Sequence, residues 1–200
     1  MLELHQKHTD FSTIVDDIED DEDNHSFLKQ PIIINGYKVY QFSLQGTLLL
    51  NKVKDKTTID HSKKYIEGCI CNTYDIKKND LPLKKARVFI QHFYSNYIIR
   101  DLDNRNHKLI IDALRYACII QNDSWQHLSL DISGHKDDTD HVQIYVVDDQ
   151  YKYEFGQYLE KNSNKLKQKP LPFNHKQYKN GKNGGEKKKI YQVKDDEYFW

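Results

Sequence analysis

The chain has 200 residues, 30 of them lysine or arginine and 30 aspartate or glutamate, so its formal net charge is zero. This length is sufficient for one domain of ordinary size with tails. The three cysteines have no framework spacing, which argues against a secreted disulfide-rich protein. No apolar run reaches the ~18–20 residues of a membrane span, and we expect a cytoplasmic protein.

The zero net charge conceals a segregation of charge along the chain. Residues 1–30 contain nine acidic and two basic side chains, whereas residues 161–194 contain eleven lysines and one glutamate. We therefore predict an acidic, largely disordered head (1–30), a folded domain (31–160) and a basic disordered tail (161–200). Such a tail can contact a polyanion, or the two ends can shield each other.

Each predicted tail leaves two interpretations open. The head is either a solvated acidic linker or a mimic that covers the protein's own basic groove until nucleic acid displaces it. The basic tail ends in an acidic aromatic tip at residues 195–200. This tip is either a mobile terminus or a short peptide that docks on a protein partner.

The first half of the domain predicts a hairpin followed by a helix. Three isoleucines precede Asn35-Gly36, a strong type I′ turn signal, and residues 37–44 then alternate as a strand. After a polar, basic loop, helical spacing predicts a helix from about 61 to 73, with Asp60 or Ser62 as its N-cap.

The second half predicts two strands, a helix between them and a closing strand. Residues 86–94 form an apolar, aromatic strand, and residues 105–120 follow helical spacing, with Asn104 or Asn106 as N-cap. Residues 125–132 alternate as a strand, which we expect to form an antiparallel pair with a strand at 141–147. The order indicates an α+β class: a single β-α-β-α-β-β domain with a mixed sheet and two helices.

Two carboxylates follow the strand at 86–94, in the run Arg100-Asp101-Leu102-Asp103-Asn104. Residues i and i+2 of an extended segment point to the same face, so Asp101 and Asp103 lie side by side. Two adjacent carboxylates repel each other unless a proton or a cation lies between them, and a divalent metal keeps both ionised. The competing interpretation is a turn and helix cap, because Asp and Asn satisfy free backbone donors.

Further polar residues follow the pair at a distance: Lys108, Asp112 and the dipeptide Asn122-Asp123. A helix of ~15 residues spans ~22 Å, so its far end is remote from the pair if it points outward. Asp123 therefore joins Asp101 and Asp103 only if the chain returns along the sheet beside the first strand.

These residues in this order resemble the signature of the RusA family of Holliday junction resolvases, over roughly residues 37–150. The family pattern is a strand into Arg-Asp-Leu-Asp-Asn, a lysine shortly after, Asp-Ala-Leu in the helix and an acidic pair before the next strand. The chain departs from this pattern at residues 105–107, where it has one additional residue. His107 is therefore an alternative to Lys108 as the basic residue of the pattern. It also departs at Asn122, which replaces the first acid of the pair.

The resemblance implies a Mg²⁺-dependent, structure-specific endodeoxyribonuclease. It would resolve four-way (Holliday) junctions in DNA recombination and repair by symmetric phosphodiester hydrolysis, as a homodimer with two active sites. The implied catalytic set is Asp101, Asp103 and Asp123 as metal ligands, with Lys108 nearby. We assign DNA contacts to five basic residues: Lys52, Lys54, Lys56, Arg100 and Arg105.

Two other functions stay open on the same residues. The first is a non-catalytic branched-DNA-binding or interaction protein with a degraded site, which the additional residue and Asn122 motivate. The second is a nuclease for another branched or flap substrate.

Overall fold

The computed structural model describes residues 28–98 and 100–170. Most of the predicted acidic head (1–30) and of the predicted basic tail (161–200), including its aromatic tip, lies outside these residues. In the described part of the chain, no helix has the length and apolar character needed to cross a membrane. The elements in chain order are β1 (Ile32–Ile34), β2 (Tyr37–Gln45), α1 (Lys56–Ile70), β3 (Ala86–Tyr94), α2 (Lys108–Tyr116), β4 (Leu128–Lys136), β5 (His141–Asp148) and α3 (Lys152–Leu166).

The N-terminal hairpin confirms the turn prediction. β1 and β2 pair antiparallel with Ile34 opposite Tyr37, so only two residues form the loop. Asn35 has φ 46° and Gly36 has φ 90°, and a type I′ turn requires positive φ at both positions. The strand predicted at 86–94 is also confirmed, as β3.

The five strands form one mixed sheet in the order β1-β2-β5-β3-β4. The expected antiparallel pairing of the last two strands is wrong, because β5 lies between β2 and β3 while β4 pairs parallel with β3 at the edge. The apolar content of the two strands explains the difference. β5 is buried along nearly its whole length and occupies the centre, whereas β4 is half-exposed.

The fourth strand also begins and ends later than predicted. Its pairing with β3 extends from Leu128 opposite Ala86 to Lys136 opposite Tyr94. Residues 133–136, which lie beyond the predicted end of the strand at residue 132, therefore continue the strand. Leu128 and Ile132 pack against the apolar core as alternation predicts, whereas Leu130 between them is 42% exposed. The ends of the strand follow the length of its partner.

Helices α1 and α2 cover one face of the sheet and form the larger apolar core with β2, β3 and β5. α1 begins before the predicted position, because the Asp55 carboxylate accepts a hydrogen bond from the Thr58 amide at 2.7 Å and caps the helix there. α2 is shorter than the predicted 105–120, and His107 occupies its N-cap position. Neither Asn104 nor Asn106 caps it, because the backbone of both residues bonds to another segment.

A third helix, α3, covers the other face of the sheet. The fold therefore has three helices where we expected two, and the sheet lies between two helical layers. Phe155 and Leu159 are its buried residues, and they pack in a second core with Phe89 and Tyr145. α3 ends at Leu166, beyond the predicted domain boundary at residue 160. This helix was difficult to predict from the sequence, because its apolar residues form only a narrow stripe among lysines and asparagines.

Replacement of Phe155 by alanine tests how strongly the third layer depends on this contact. Phe155 is fully buried, with its ring centroid 5.1 Å from that of Phe89. We expect Phe155→Ala to lower the free energy of unfolding by about 3–5 kcal/mol, measured by denaturant titration. Tyr153 of the same helix is 78% exposed, so Tyr153→Ala is the matched control, with an expected change within about 0.5 kcal/mol. Equal effects of the two substitutions would contradict this packing.

Candidate nucleic-acid and metal site

The loop that contains the aspartate pair lies at the end of the sheet where β3 and β4 finish. Its backbone is held against the segment after β2 by two hydrogen bonds. The Asn51 amide donates to the Asn104 carbonyl at 3.0 Å, and the Asn106 amide donates to the Leu49 carbonyl at 2.8 Å. Leu50 and Arg105 form an antiparallel bridge between them. These contacts fix the loop, which bends at Leu102 and turns at Asp103 and Asn104 before the bridge at Arg105.

The side chains at this bend divide between the protein interior and solvent. Leu102 turns inward over β4, where a methyl group added to Gly134 would lie 3.4 Å from Leu102 Cδ2. Asp101 and Asp103, on either side of it, are exposed. Within the described residues, neither carboxylate makes a hydrogen bond or an ion pair. The loop thus presents two uncompensated negative charges to solvent.

The side chains of the two arginines assigned to DNA contact interact with other groups of their own chain. Arg105 is 9% exposed and donates from Nη1 to the Leu48 carbonyl at 2.9 Å. Arg100 lies 4.9 Å above the Tyr94 ring and 4.0 Å from the Asp140 carboxylate. The assignment of Arg105 to DNA contact is therefore wrong in this structure, since its guanidinium fixes the loop. Arg100 is likewise engaged by its own chain.

The lysine loop, by contrast, lies beside the aspartate pair. Lys52, Lys54 and Lys56 directly follow the segment to which the Asp101–Asp103 loop is bonded, and all three are exposed. The Asn51 side chain also donates to the Asp103 carbonyl at 3.2 Å. The structure thus joins the segment that leads into the three predicted phosphate-binding residues to the loop that carries two predicted metal ligands, although the two are almost fifty residues apart in sequence.

Two buried histidines hold the start of α2 under this loop. His92 of β3 and His107 approach with their Nε2 atoms 2.9 Å apart, so one ring donates and the other accepts. Burial, and then the neighbouring His107 and Arg105, lower the pKa of His92 to about 3. Burial and Arg105 also lower the pKa of His107. The sequence does not indicate this contact, because a spacing of fifteen residues gives no signal of proximity.

The histidine pair separates the two candidates for the basic catalytic residue. His107 is buried against His92 and is not presented to a ligand. Lys108 is exposed, and its Nζ lies 2.8 Å from Asp112 Oδ1 one helical turn away. Only the lysine is therefore available at the surface beside the loop.

Asp123 lies at the opposite end of the sheet. β3 and β4 run parallel, and Asp123 precedes the first β4 residue, Leu128, which pairs with Ala86 at the start of β3. Nine strand residues at ~3.3 Å each separate this end from the aspartate pair by roughly 26 Å. Asp123 instead lies 3.4 Å from Arg115. The expected convergence of three aspartates is therefore wrong for a single chain.

The chemistry of the remaining donors still matches one hard cation. Mg²⁺ is usually bound by one or two carboxylates together with substrate phosphates and water. Asp101 and Asp103 supply such a pair of oxygen ligands, both exposed and without a competing cation among the described residues. Across residues 28–98 and 100–170, no group of three or more His, Cys, Asp or Glu side chains converges as a metal site would.

No protein-family model matches the chain, and no curated protein is significantly similar to it in sequence. The resemblance to the RusA family therefore rests on the motif residues themselves.

The histidine pair predicts a specific sensitivity to acid. Because the pKa of His92 is about 3 in the folded chain and near 6.5 in the unfolded chain, the unfolded chain binds more protons between these values. The free energy of unfolding therefore decreases as the pH falls through this window. Between neutral pH and pH 5, His92 accounts for a loss of about 2 kcal/mol. We expect His92→Gln to reduce this loss, measured by denaturant titration at neutral and acidic pH. His61→Gln, at an exposed position of α1, should leave the loss unchanged.

Proposed function

We propose that the chain is a Mg²⁺-dependent endonuclease that acts on branched DNA, similar to the RusA resolvases. The observation that carries the proposal is the juxtaposition of two exposed, unpaired carboxylates, Asp101 and Asp103, with the exposed lysine loop at 52–56. A nuclease needs this combination, because the cation ligands must lie beside the groups that bind the DNA backbone.

Each residue has a distinct role in this proposal. Asp101 and Asp103 hold the cation, which when bound supplies an activated water and stabilises charge on the leaving oxygen. Lys52, Lys54 and Lys56 bind phosphates and orient the backbone across the carboxylates. Lys108 neutralises charge that develops on the phosphate. It can leave its partner Asp112, because an exposed pair one helical turn apart contributes only about 0.3–0.5 kcal/mol.

The proposed substrate is a four-way junction, cleaved in DNA recombination and repair. Symmetric cleavage of two strands requires two active sites, so the proposed enzyme is a homodimer acting on DNA in the cytoplasm. In such a dimer, the third aspartate of the family pattern can contribute only from the second chain, since Asp123 and the pair lie at opposite ends of each sheet.

A second candidate function is junction binding without cleavage. The position of Asp123 and the presence of Asn122 where the family has an acid both favour it. In this structure the Asn122 side chain accepts a hydrogen bond from the Ser124 amide at 2.8 Å and thereby shapes a turn. This candidate predicts salt-sensitive junction binding and no cleavage with any divalent cation.

Substitution of the carboxylate pair separates the two candidates. We expect Asp103→Asn and Asp101→Asn each to reduce cleavage of a synthetic four-way junction in Mg²⁺ by at least about 100-fold. Replacing a residue that only supports a metal ligand typically lowers metal affinity or activity 10–100-fold, so replacing a ligand itself should have at least the larger effect. Binding of the junction in EDTA should persist, because removal of an anion does not weaken phosphate contacts. Asp60→Asn, at an exposed position of α1, is the charge-matched control and should cleave normally.

The outcomes of this experiment have distinct meanings. Unimpaired cleavage by Asp103→Asn would refute the assigned role of the pair. A wild-type chain that binds the junction but cleaves nothing in Mg²⁺ or Mn²⁺ supports the non-catalytic candidate. Parallel assays on flap and linear duplex substrates establish whether the junction is the preferred structure.

Substitution of the lysine loop tests the DNA-binding surface independently of cleavage. Replacing Lys52, Lys54 and Lys56 by alanine removes up to three phosphate contacts. The slope of log affinity against log salt for a junction should then fall by roughly three, at ~1 per contact. The matched control replaces Lys77, Lys78 and Lys84, which are also exposed but lie near the start of β3 at the other end of the sheet. Equal effects of the two triple substitutions would contradict the proposed surface.

A further inference from the structure

One edge of the sheet is a long strand whose outer side has no partner in the structure. β4 (Leu128–Lys136) pairs with β3 along nine residues and ends the sheet on that side. Among residues 28–98 and 100–170, no other strand pairs with it. The opposite edge, β1, has only three residues. An uncovered edge of this length is a template for another strand, which monomeric proteins normally shorten or cover.

Exposed apolar side chains lie at both ends of this edge. Beside its C-terminal end is Tyr97, 88% exposed, with Lys136 Nζ 5.3 Å from its ring centroid. Before its N-terminal end is Trp125, 84% exposed. In the middle, Leu130 of β4 is 42% exposed. Exposed large apolar groups beside both ends of a strand and at its middle are typical of an interface.

We propose that β4 pairs antiparallel with β4 of a second copy of this chain, to form a continuous ten-stranded sheet. In the register that pairs all nine residues, Ile132 lies on the two-fold axis and Leu128 is opposite Lys136 of the partner subunit. An isologous pair brings the two ends of the edge together, so the Trp125 end of one copy meets the Tyr97 end of the other. The apolar groups at the two ends then cover each other.

Side-chain chemistry favours this register over its neighbours. Leu130 lies opposite Gly134 of the partner subunit, and the side chain that covers Gly134 within one chain is the apolar Leu102, which gives the exposed leucine an apolar neighbour. Asp131 lies opposite Ser133 of the partner subunit, so no like charges oppose each other. A shift of the pairing by two residues toward the N-terminus places the two Asp131 carboxylates opposite each other and loses two residue pairs.

The identity of the partner follows from the same features. When the partner is the same strand, the nine-residue register opposes no like charges, and the exposed aromatic residues at its two ends meet in a two-fold arrangement. The pairing is argued from the strand and its exposed side chains and does not require nuclease activity. Its consequence for the site does rest on the proposed function: an antiparallel pair directs the Asp123 end of one copy toward the Asp101 end of the other.

The mass of the full-length protein in solution tests the proposal. At micromolar concentration, we expect light scattering to give twice the 23.9 kDa mass of one chain. Leu130→Lys adds a charge at the centre of the interface and should give the mass of one chain with an unchanged circular dichroism spectrum. The control is Ile33→Lys, at a 60% exposed position of the other edge strand, which should stay dimeric. A monomeric wild type, or a dimer that Ile33→Lys dissociates and Leu130→Lys does not, overturns the proposal.

Chemical crosslinking tests the register itself. In a Cys118→Ser background, which removes the exposed native thiol, Ser133→Cys places two thiols diagonally across the axis, ~7–8 Å apart. A bis-maleimide of that length should join two chains, whereas Thr57→Cys on α1 should yield only single chains. The absence of a crosslink at residue 133 in a dimeric protein overturns this pairing.

Junction cleavage is measured separately, so the two proposals can fail independently. If the protein dimerises through β4 but cleaves no DNA, the proposed edge pairing stands and the proposed nuclease activity is refuted. Cleavage by a protein that Leu130→Lys does not dissociate refutes the edge pairing alone.

Discussion

The parallel pairing of β3 with β4 is the constraint on which the positions of all the candidate site residues depend. Two neighbouring parallel strands must be joined by a crossover that returns the chain to the starting end of the sheet. Here α2 makes this return, from His107 beside His92 to Ile120 beside Leu83. Residues before the helix therefore lie at one end of the sheet and residues after it at the other. This geometry keeps Asp123 away from Asp101 in one chain, whatever the motif resembles.

The aspartate loop depends on a second constraint, the supports beneath it. Two backbone hydrogen bonds join it to residues 49–51, and the buried Arg105 guanidinium caps the Leu48 carbonyl. Below them, the neutral His92–His107 pair connects β3 with the start of α2. These interactions hold the bend at which Leu102 packs over Gly134 while both neighbouring carboxylates face solvent. The exposure of the two charges therefore depends on the buried contacts around the loop.

The two faces of the sheet are covered by different helices and form cores of different size. On one face, α1 and α2 form a large apolar core with the central strands. On the other, α3 covers a smaller core around Phe89 and Tyr145. Within the described residues, β4 is the longer of the two sheet edges that still present backbone donors and acceptors, because β1 on the other side has only three residues. The exposed side chains at its ends give that edge the character of an interface.

Local features of the fold were predictable because they depend on near neighbours. Asn35-Gly36 specified a two-residue hairpin through its positive φ angles, and the apolar run at 86–94 specified β3. Helix ends were less predictable, because backbone contacts distant in sequence occupy Asn104 and Asn106 and move the start of α2 to Lys108. α3 was missed because its burial depends on a sheet face that only the folded chain creates.

For the site, the sequence by itself determined the chemistry: two carboxylates two residues apart, lysines after β2, and the order of polar residues that resembles a nuclease family. Only the tertiary structure decided their positions. It brought the lysine loop to Asp101 and Asp103, buried Arg105 and His107, and separated Asp123 from the pair. The physical reason is that spacing along a chain defines which face a residue occupies, whereas strand order and direction define which end of the sheet it reaches.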